Sequence, residues 1–222
     1  MQPADFARLQ PHLLYVDLPR GMVLVHAGLP VEHVYFPENS LGSIIAVSDE
    51  GHRVEAGIFG RDGMSGLPLI LGAGQSPHEY IVQVGDGGHR LSSGALLAAF
   101  RDSPALHDLL LRYAHVASVQ AGYTAMSNAV HSIDRRLARW LLMCHDRLPG
   151  DTLYITHEFL AVMLGVRRPG VTTALHVLEG NLLIRGERGR VTIRDRAGLE
   201  TFAGDAYGAP EAEYRRLIGP MN

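Results

Sequence analysis

The chain contains no lysine; all 20 of its basic residues are arginine. Any phosphate it holds must therefore be met by planar guanidinium forks rather than by mobile ammonium groups. Cys144 is its only cysteine, which excludes an intramolecular disulfide and any iron–sulfur or zinc site built from several thiolates. No apolar run approaches the roughly 18–20 residues that span a bilayer. The N-terminus, MQPADFARLQ, lacks the basic start and apolar core of a signal peptide, so a cytoplasmic location and no membrane partner are expected. Only 19% of residues are charged, yet 46% are hydrophobic. That excludes a disordered chain, and 222 residues allow two modest domains with real cores.

Motifs for catalysis and metal binding are also missing. SGLPLILGAG carries glycines but neither a Lys-Ser/Thr ending nor Gly-x-Gly-x-x-Gly spacing, and there is no nucleophile elbow. The 12 histidines are poorly spaced for ligation. His107 and His115 are too far apart around a helix, and His26 and His33 flank a turn without a third ligand. An enzyme, a metal and a haem are not expected.

What is present is concentrated in 155–196, ITHEFLAVMLGVRRPGVTTALHVLEGNLLIRGERGRVTIRDR. Thr156 suits a helix N-cap and Glu158 the first turn. Phe159, Leu160, Met163 and Leu164 form an apolar face, Gly165 a left-handed exit and Val166 a corner plug. Pro169 fits the first turn of a second helix. There Val171, Ala174, Leu175 and Leu178 make a buried stripe, and Gly180 is the expected end. Strand-like 182–184 and 191–193 bracket a turn at 186–189, and Arg185, Arg188, Arg190 and Arg194 crowd this hairpin. The segment carries a net charge of +3, whereas the whole chain carries −3. A basic module on an acidic body is the asymmetry of a protein that holds phosphate with one end, and together with the two-helix turn, the buried stripe and the basic hairpin it points to double-stranded DNA. The plain alternative is a helical corner with a solvated arginine loop.

Upstream, short apolar runs at 22–25, 33–36, 41–47, 53–59 and 80–84 alternate with glycines such as Gly42, Gly57, Gly87 and Gly88, the pattern of an all-β sandwich or roll. A short helix is expected at 6–14. From 104 to 133 the periodicity is helical. Leu109, Val116, Tyr123 and Val130 are seven apart, and Val119, Met126 and Ile133 follow by three. This a/d seam, with Arg112 as its misfit, fits a homodimer contact or a core stripe against the β domain. A second helix, 134–147, has Ser132 as its cap and Arg135, Arg136 and Arg139 off its apolar face.

The 155–193 segment resembles the winged helix-turn-helix of the Crp–Fnr transcription regulators, and PRGMVLVHAGLPVEHVYFPENSLGSIIAVSDEGHRVEAGIFGRDGMSGLPLILG is similar to their sensor roll. The resemblance implies an α+β chain with three parts. These are an N-terminal double-stranded, jelly-roll-like β-roll sensor (1–100), a dimerisation helix (101–133) and a winged helix-turn-helix (134–222). The outward face of the second helix offers base contacts from Arg168, Thr172, Thr173 and His176, and Arg167, Arg185, Arg188 and Arg190 suit phosphate contacts. Pro169 stands where the family's best-known members place a base-reading Glu and Thr173 replaces a second Arg, so their common half-site is not carried over. RNA polymerase is a candidate partner. The candidate ligand pocket is Arg61, Met64, Ser65, Gly66, Ser76 and His78. In the cyclic-nucleotide-binding members a Glu and an Arg stand near Met64–Gly66 and Ser76–His78; neither charge is present here. A cyclic nucleotide is therefore not expected, another small effector stays open, and no cofactor is implied. The alternative function is a small-ligand sensor that does not read DNA.

Overall fold

The computed structural model describes residues 1–221. Seven strands of the N-terminal half form two antiparallel sheets. One runs β1 (Leu14–Leu18), β7 (Asp86–Ser92), β3 (His33–Pro37). The other runs β2 (Val23–Val25), β6 (Glu79–Val84), β4 (Leu41–Val47), β5 (Arg53–Phe59). Between them lies a core of Leu18, Val34 and Leu91 from the first sheet with Leu24, Phe59, Tyr80 and Val82 from the second. The expected β domain is thus a roll of two facing sheets.

Two strands were hidden in the sequence. β7 contains Gly87 and Gly88, which read as turn residues. Both are there because neighbours pass over them: a Cβ on Gly87 would overlap the Tyr15 hydroxyl, and one on Gly88 would lie 2.7 Å from the Phe36 carbonyl. Gly42 and Gly57 likewise lie inside strands β4 and β5, and a Cβ on Gly42 would overlap the Phe59 ring. β1 takes the end of the helix expected at 6–14, which is instead α1 (Pro3–Leu9) followed by one 3-10 turn.

Helices α2 (Leu67–Ile70) and α3 (Ser93–Asp102) close the roll, and α4 (Pro104–Val130) runs along it. Leu106, Leu110 and Tyr113 of α4 are part of the roll's core. The helix stops at Val130, and His131 and Ser132 are extended. Ser132 occupies the N-cap of α5 (Ile133–His145), but its side chain makes no capping bond.

The C-terminal half packs α5, α6 (His157–Leu164), α7 (Arg168–Gly180) and α8 (Arg196–Ala203) around Leu137, Leu141, Leu160, Val171, Leu175 and Leu199. A small sheet, β8 (Thr152–Leu153), β10 (Arg190–Ile193), β9 (Ile184–Glu187), sits beside them. Leu41, Ile45 and Ile58 of the roll belong to this same core, so the two halves share one apolar interior. Helix α9 (Ala209–Leu217) returns to α4. There His115 Nε2 meets Glu213 at 3.0 Å, and the Tyr214 hydroxyl donates to the Asp62 carbonyl at 2.9 Å. Among the described residues no helix is long and apolar enough to cross a membrane.

Candidate nucleic-acid interface

Helices α6 and α7 meet at the corner that 155–180 encodes. The Thr156 hydroxyl accepts the Phe159 N–H at 3.3 Å. Gly165 turns left-handed, with φ 60°, and Val166 packs against the core. Pro169 stands in the first turn of α7, where its missing N–H breaks no bond. Val171, Ala174, Leu175 and Leu178 are buried, which forces the other face outward. That face holds Arg168, Thr173 and His176, all exposed, and Thr172, half-buried.

The two threonines are already engaged. Thr172 donates to the Arg168 carbonyl at 3.3 Å and lies 3.2 Å from His157 Nδ1. Thr173 donates to the Pro169 carbonyl at 3.1 Å. Their protons are spent on the preceding turn, so each offers a ligand an acceptor lone pair and a methyl group. Among the described residues Arg168 and His176 are exposed donors of this face with no side-chain partner.

The hairpin of β9 and β10 is a wing, and Glu179 fixes it to α7 by accepting the Gly186 N–H at 2.7 Å. Its charge is less available than its composition implies. Glu187 pairs with Arg185 at 3.0 Å and also with Arg190. Arg196 is held by Asp146 at 2.6 Å and by Glu200 at 2.9 Å. Among the described residues Arg167, Arg168, Arg188 and Arg194 are exposed and have no acidic partner. The three arginines of α5 are structural. Arg135 bonds Asp205 at 2.8 Å, Arg136 donates to the Leu164 carbonyl at the end of α6, and Arg139 donates to Thr124 at 3.1 Å.

Two seam residues need correction. Val116 is 5% exposed and turns inward, towards Tyr113, Gln120, Glu211 and Tyr214. Ile133 is the first residue of α5, beyond the break, and its Cδ1 packs towards Gly170 of α7, 3.3 Å from where a Cβ would stand. The heptad spacing continued across a helix end that periodicity does not reveal. Leu109, Val119 and Tyr123 are half-buried, while Met126 and Val130 are 39% and 68% exposed.

The candidate ligand pocket also divides. A groove of about 390 Å³ lies between α4 and the roll, lined by Ile44, Leu71, Ser76, His78, Tyr80 and Ala117 among others. Arg61, Met64, Ser65 and Gly66 do not reach it. Arg61 Nε donates to the Arg147 carbonyl at 2.9 Å. Met64 N–H donates to the Tyr113 hydroxyl at 3.1 Å, and Ser65 accepts the Tyr35 N–H at 3.0 Å. A Cβ on Gly66 would overlap Val34. This loop folds into the core rather than around a ligand. Among the described residues no Asp, Glu or Arg lines the groove, so it does not fit the ribose and charged phosphate of a cyclic nucleotide.

Sequence reading missed the groups that bind the halves together. Arg147 and Asp62, both buried, pair at 2.7 Å. Burial opposes the Arg147 charge, but the Asp62 carboxylate and its hydrogen bond outweigh burial and raise the pKa. Only the fold brings these distant positions together.

Residues 135–202 match the family model described as the Crp-like helix-turn-helix domain. The chain thus carries a Crp-like helix-turn-helix domain, its reading domain. The solved structure of FixK2 from Bradyrhizobium japonicum superposes with a TM-score of 0.74 at 14% identity, over 86% of this chain and 98% of that one. A CRP-family transcriptional regulator from Thermus thermophilus gives 0.70 at 18% identity, over 87% and 99%. The c-di-GMP-responsive global regulator CLP of Xanthomonas campestris gives 0.64 at 19%, over 86% and 99%. No curated protein matches the chain by sequence. The α+β architecture of these structures, a roll, a long helix and a winged helix-turn-helix, is therefore the architecture of this chain.

Proposed function

We propose that the chain is a transcription regulator that binds an inverted-repeat DNA operator as a homodimer, under the control of a signal received at the roll. The observation that carries the reading is the outward face of α7. Arg168, Thr172, Thr173 and His176 share it, and unpaired Arg167 and Arg188 flank it. Arg168 forks to a guanine edge, worth about 1–3 kcal/mol of discrimination. Thr172 and Thr173 offer acceptors to exocyclic amino groups and methyls to thymine. Arg167, Arg188 and, once released from Glu187, Arg185 and Arg190 hold phosphates.

The outward side of α4 supplies the dimer contact. Helix α4 is apolar on both sides: Leu106, Leu110 and Tyr113 face the roll, and Val119, Tyr123, Met126 and Val130 face away. Apolar residues left exposed on the side away from the roll are available to a second partner. A parallel pair of α4 helices would set two α7 helices roughly one DNA turn apart, about 34 Å. The signal that a groove lined by apolar side chains, Ser76, His78 and Gln120 suits is a small molecule without a strongly charged group.

The test is selection of bound sequences from a random duplex pool with the purified protein at near-physiological salt, with and without a metabolite extract. The expected product is a symmetric site with half-sites one turn apart. No enrichment of any symmetric site under either condition would overturn the reading.

A further inference from the structure

Where the roll meets the reading domain, one carboxyl is buried without a cation. Glu55 of β5 is 4% exposed. Its Oε1 accepts the indole N–H of Trp140, on α5, at 2.9 Å. Its Oε2 accepts the hydroxyl of Ser43, on β4, at 2.5 Å. The same Ser43 Oγ lies 3.5 Å from Met163 Sδ of α6, and the Gln83 amide of β6 lies 3.8 Å from that sulfur. Elements of both domains converge on this point.

The neighbouring charges are committed elsewhere. Arg139 of α5 donates to Thr124 of α4, and Glu211 of α9 bears on it. Arg147, after α5, is paired with Asp62. Cys144 of α5 is buried and its pKa is pushed up by burial first and by Glu55 second. From α6 and β6 the facing groups are the neutral Met163 and Gln83. Burial pushes the Glu55 carboxyl up to about 7, against the pull of Ser43, Trp140, Arg139 and Arg147.

We propose that Glu55 is a proton-controlled latch between the roll and the reading domain: neutral, it keeps α5 and α6 seated on the roll, and ionised, it loosens them. Seated, the carboxyl is buried against two neutral donors. Released, it is hydrated and ionises as an ordinary glutamate. The seated form therefore holds its proton to higher pH than the released form. Seating is strongest below the ordinary carboxylate range, weakens as pH rises, and levels off once pH passes the seated value near 7. By this linkage the seating constant falls about tenfold between about pH 6 and about pH 8, the lost proton passing to water. Because α5 and α6 carry α7, a proton taken up near neutrality would alter how the recognition helices are presented.

Trp140 is the only tryptophan of the chain, and its N–H is bonded to the carboxyl in question. Its fluorescence in the full-length protein, titrated from about pH 5.5 to about pH 8.5, should show one transition near neutrality. Glu55→Gln keeps a carbonyl oxygen to accept the Trp140 N–H, donates its own N–H to the Ser43 hydroxyl oxygen, does not ionise, and should abolish the transition. Ser43→Ala removes a donor to the charged form and should move the midpoint upward; this variant keeps the test decisive if the glutamine variant folds poorly. A flat wild-type titration, an unchanged transition in Glu55→Gln, which would trace to histidines, or an unmoved midpoint in Ser43→Ala would each overturn the latch. No arm uses DNA, so the result is independent of the operator-binding proposal.

Discussion

Gly165 and Leu182 occupy the same place in the same motif. Each is the left-handed residue that closes a helix of the reading domain, with φ of 60° and 59°. In α6, Gly165 N–H donates to the Val162 carbonyl and Val166 N–H to that of Ala161; in α7, Leu182 N–H donates to Glu179 and Leu183 N–H to Leu178. Glycine adopts this conformation freely, whereas leucine is strained by roughly 1–2 kcal/mol. Leu182 is 79% exposed, so burial returns little. Leu182→Gly should therefore stabilise the protein by about 1 kcal/mol in urea unfolding, and Gly165→Ala should destabilise it by at least about 1 kcal/mol. Equal signs for the two would contradict this account.

The wing yields a second expectation. Glu187 holds both Arg185 and Arg190 and competes with any phosphate for them. Glu187→Gln should tighten binding to DNA of every sequence and steepen its salt dependence by about one to two phosphate contacts, leaving sequence preference unchanged. An unaltered slope would mean that the two arginines do not face the backbone.

Arg168→Ala should act in the opposite way. Loss of a bidentate fork costs about 1–3 kcal/mol at one base pair and relaxes selection there. Competition between the selected operator and single-base variants measures it. A loss equal across all variants would reassign Arg168 to phosphate.

The two sides of α4 should separate by mutation. Met126→Asp with Val130→Asp places charges on the outward side and should give folded monomers by sedimentation. Val116→Asp places a charge on the buried side of α4, towards Tyr113 and Tyr214, and should lower unfolding free energy by about 3 kcal/mol without that selectivity. A folded dimer in the first variant would remove the α4 contact from the proposal.

Asp62→Asn leaves the Arg147 charge buried without its counter-ion. It should cost about 3 kcal/mol or more, read by urea unfolding. Loss below about 0.5 kcal/mol would show that water reaches Arg147.

The amino-acid order by itself determined the local structure of the reading domain. A cap at Thr156, a turn at Gly165, Pro169 in a first turn and apolar residues three and four apart act within a few residues, so α6 and α7 needed no distant partner to be legible. It also marked five of the seven roll strands, through their apolar runs. It failed where one residue type serves opposite ends: Gly87 and Gly88 read as turns but lie in a strand because Tyr15 and the Phe36 carbonyl pass over them. It failed again where periodicity outran the helix, at Ile133. Only the tertiary structure decided which side of α4 faces the roll, which arginines are already paired, and that Glu55, Trp140 and Ser43 share a buried site. The bond from Trp140 to Glu55 spans 85 positions of the chain, and hydrogen bonds between side chains so distant leave no pattern in the order of residues.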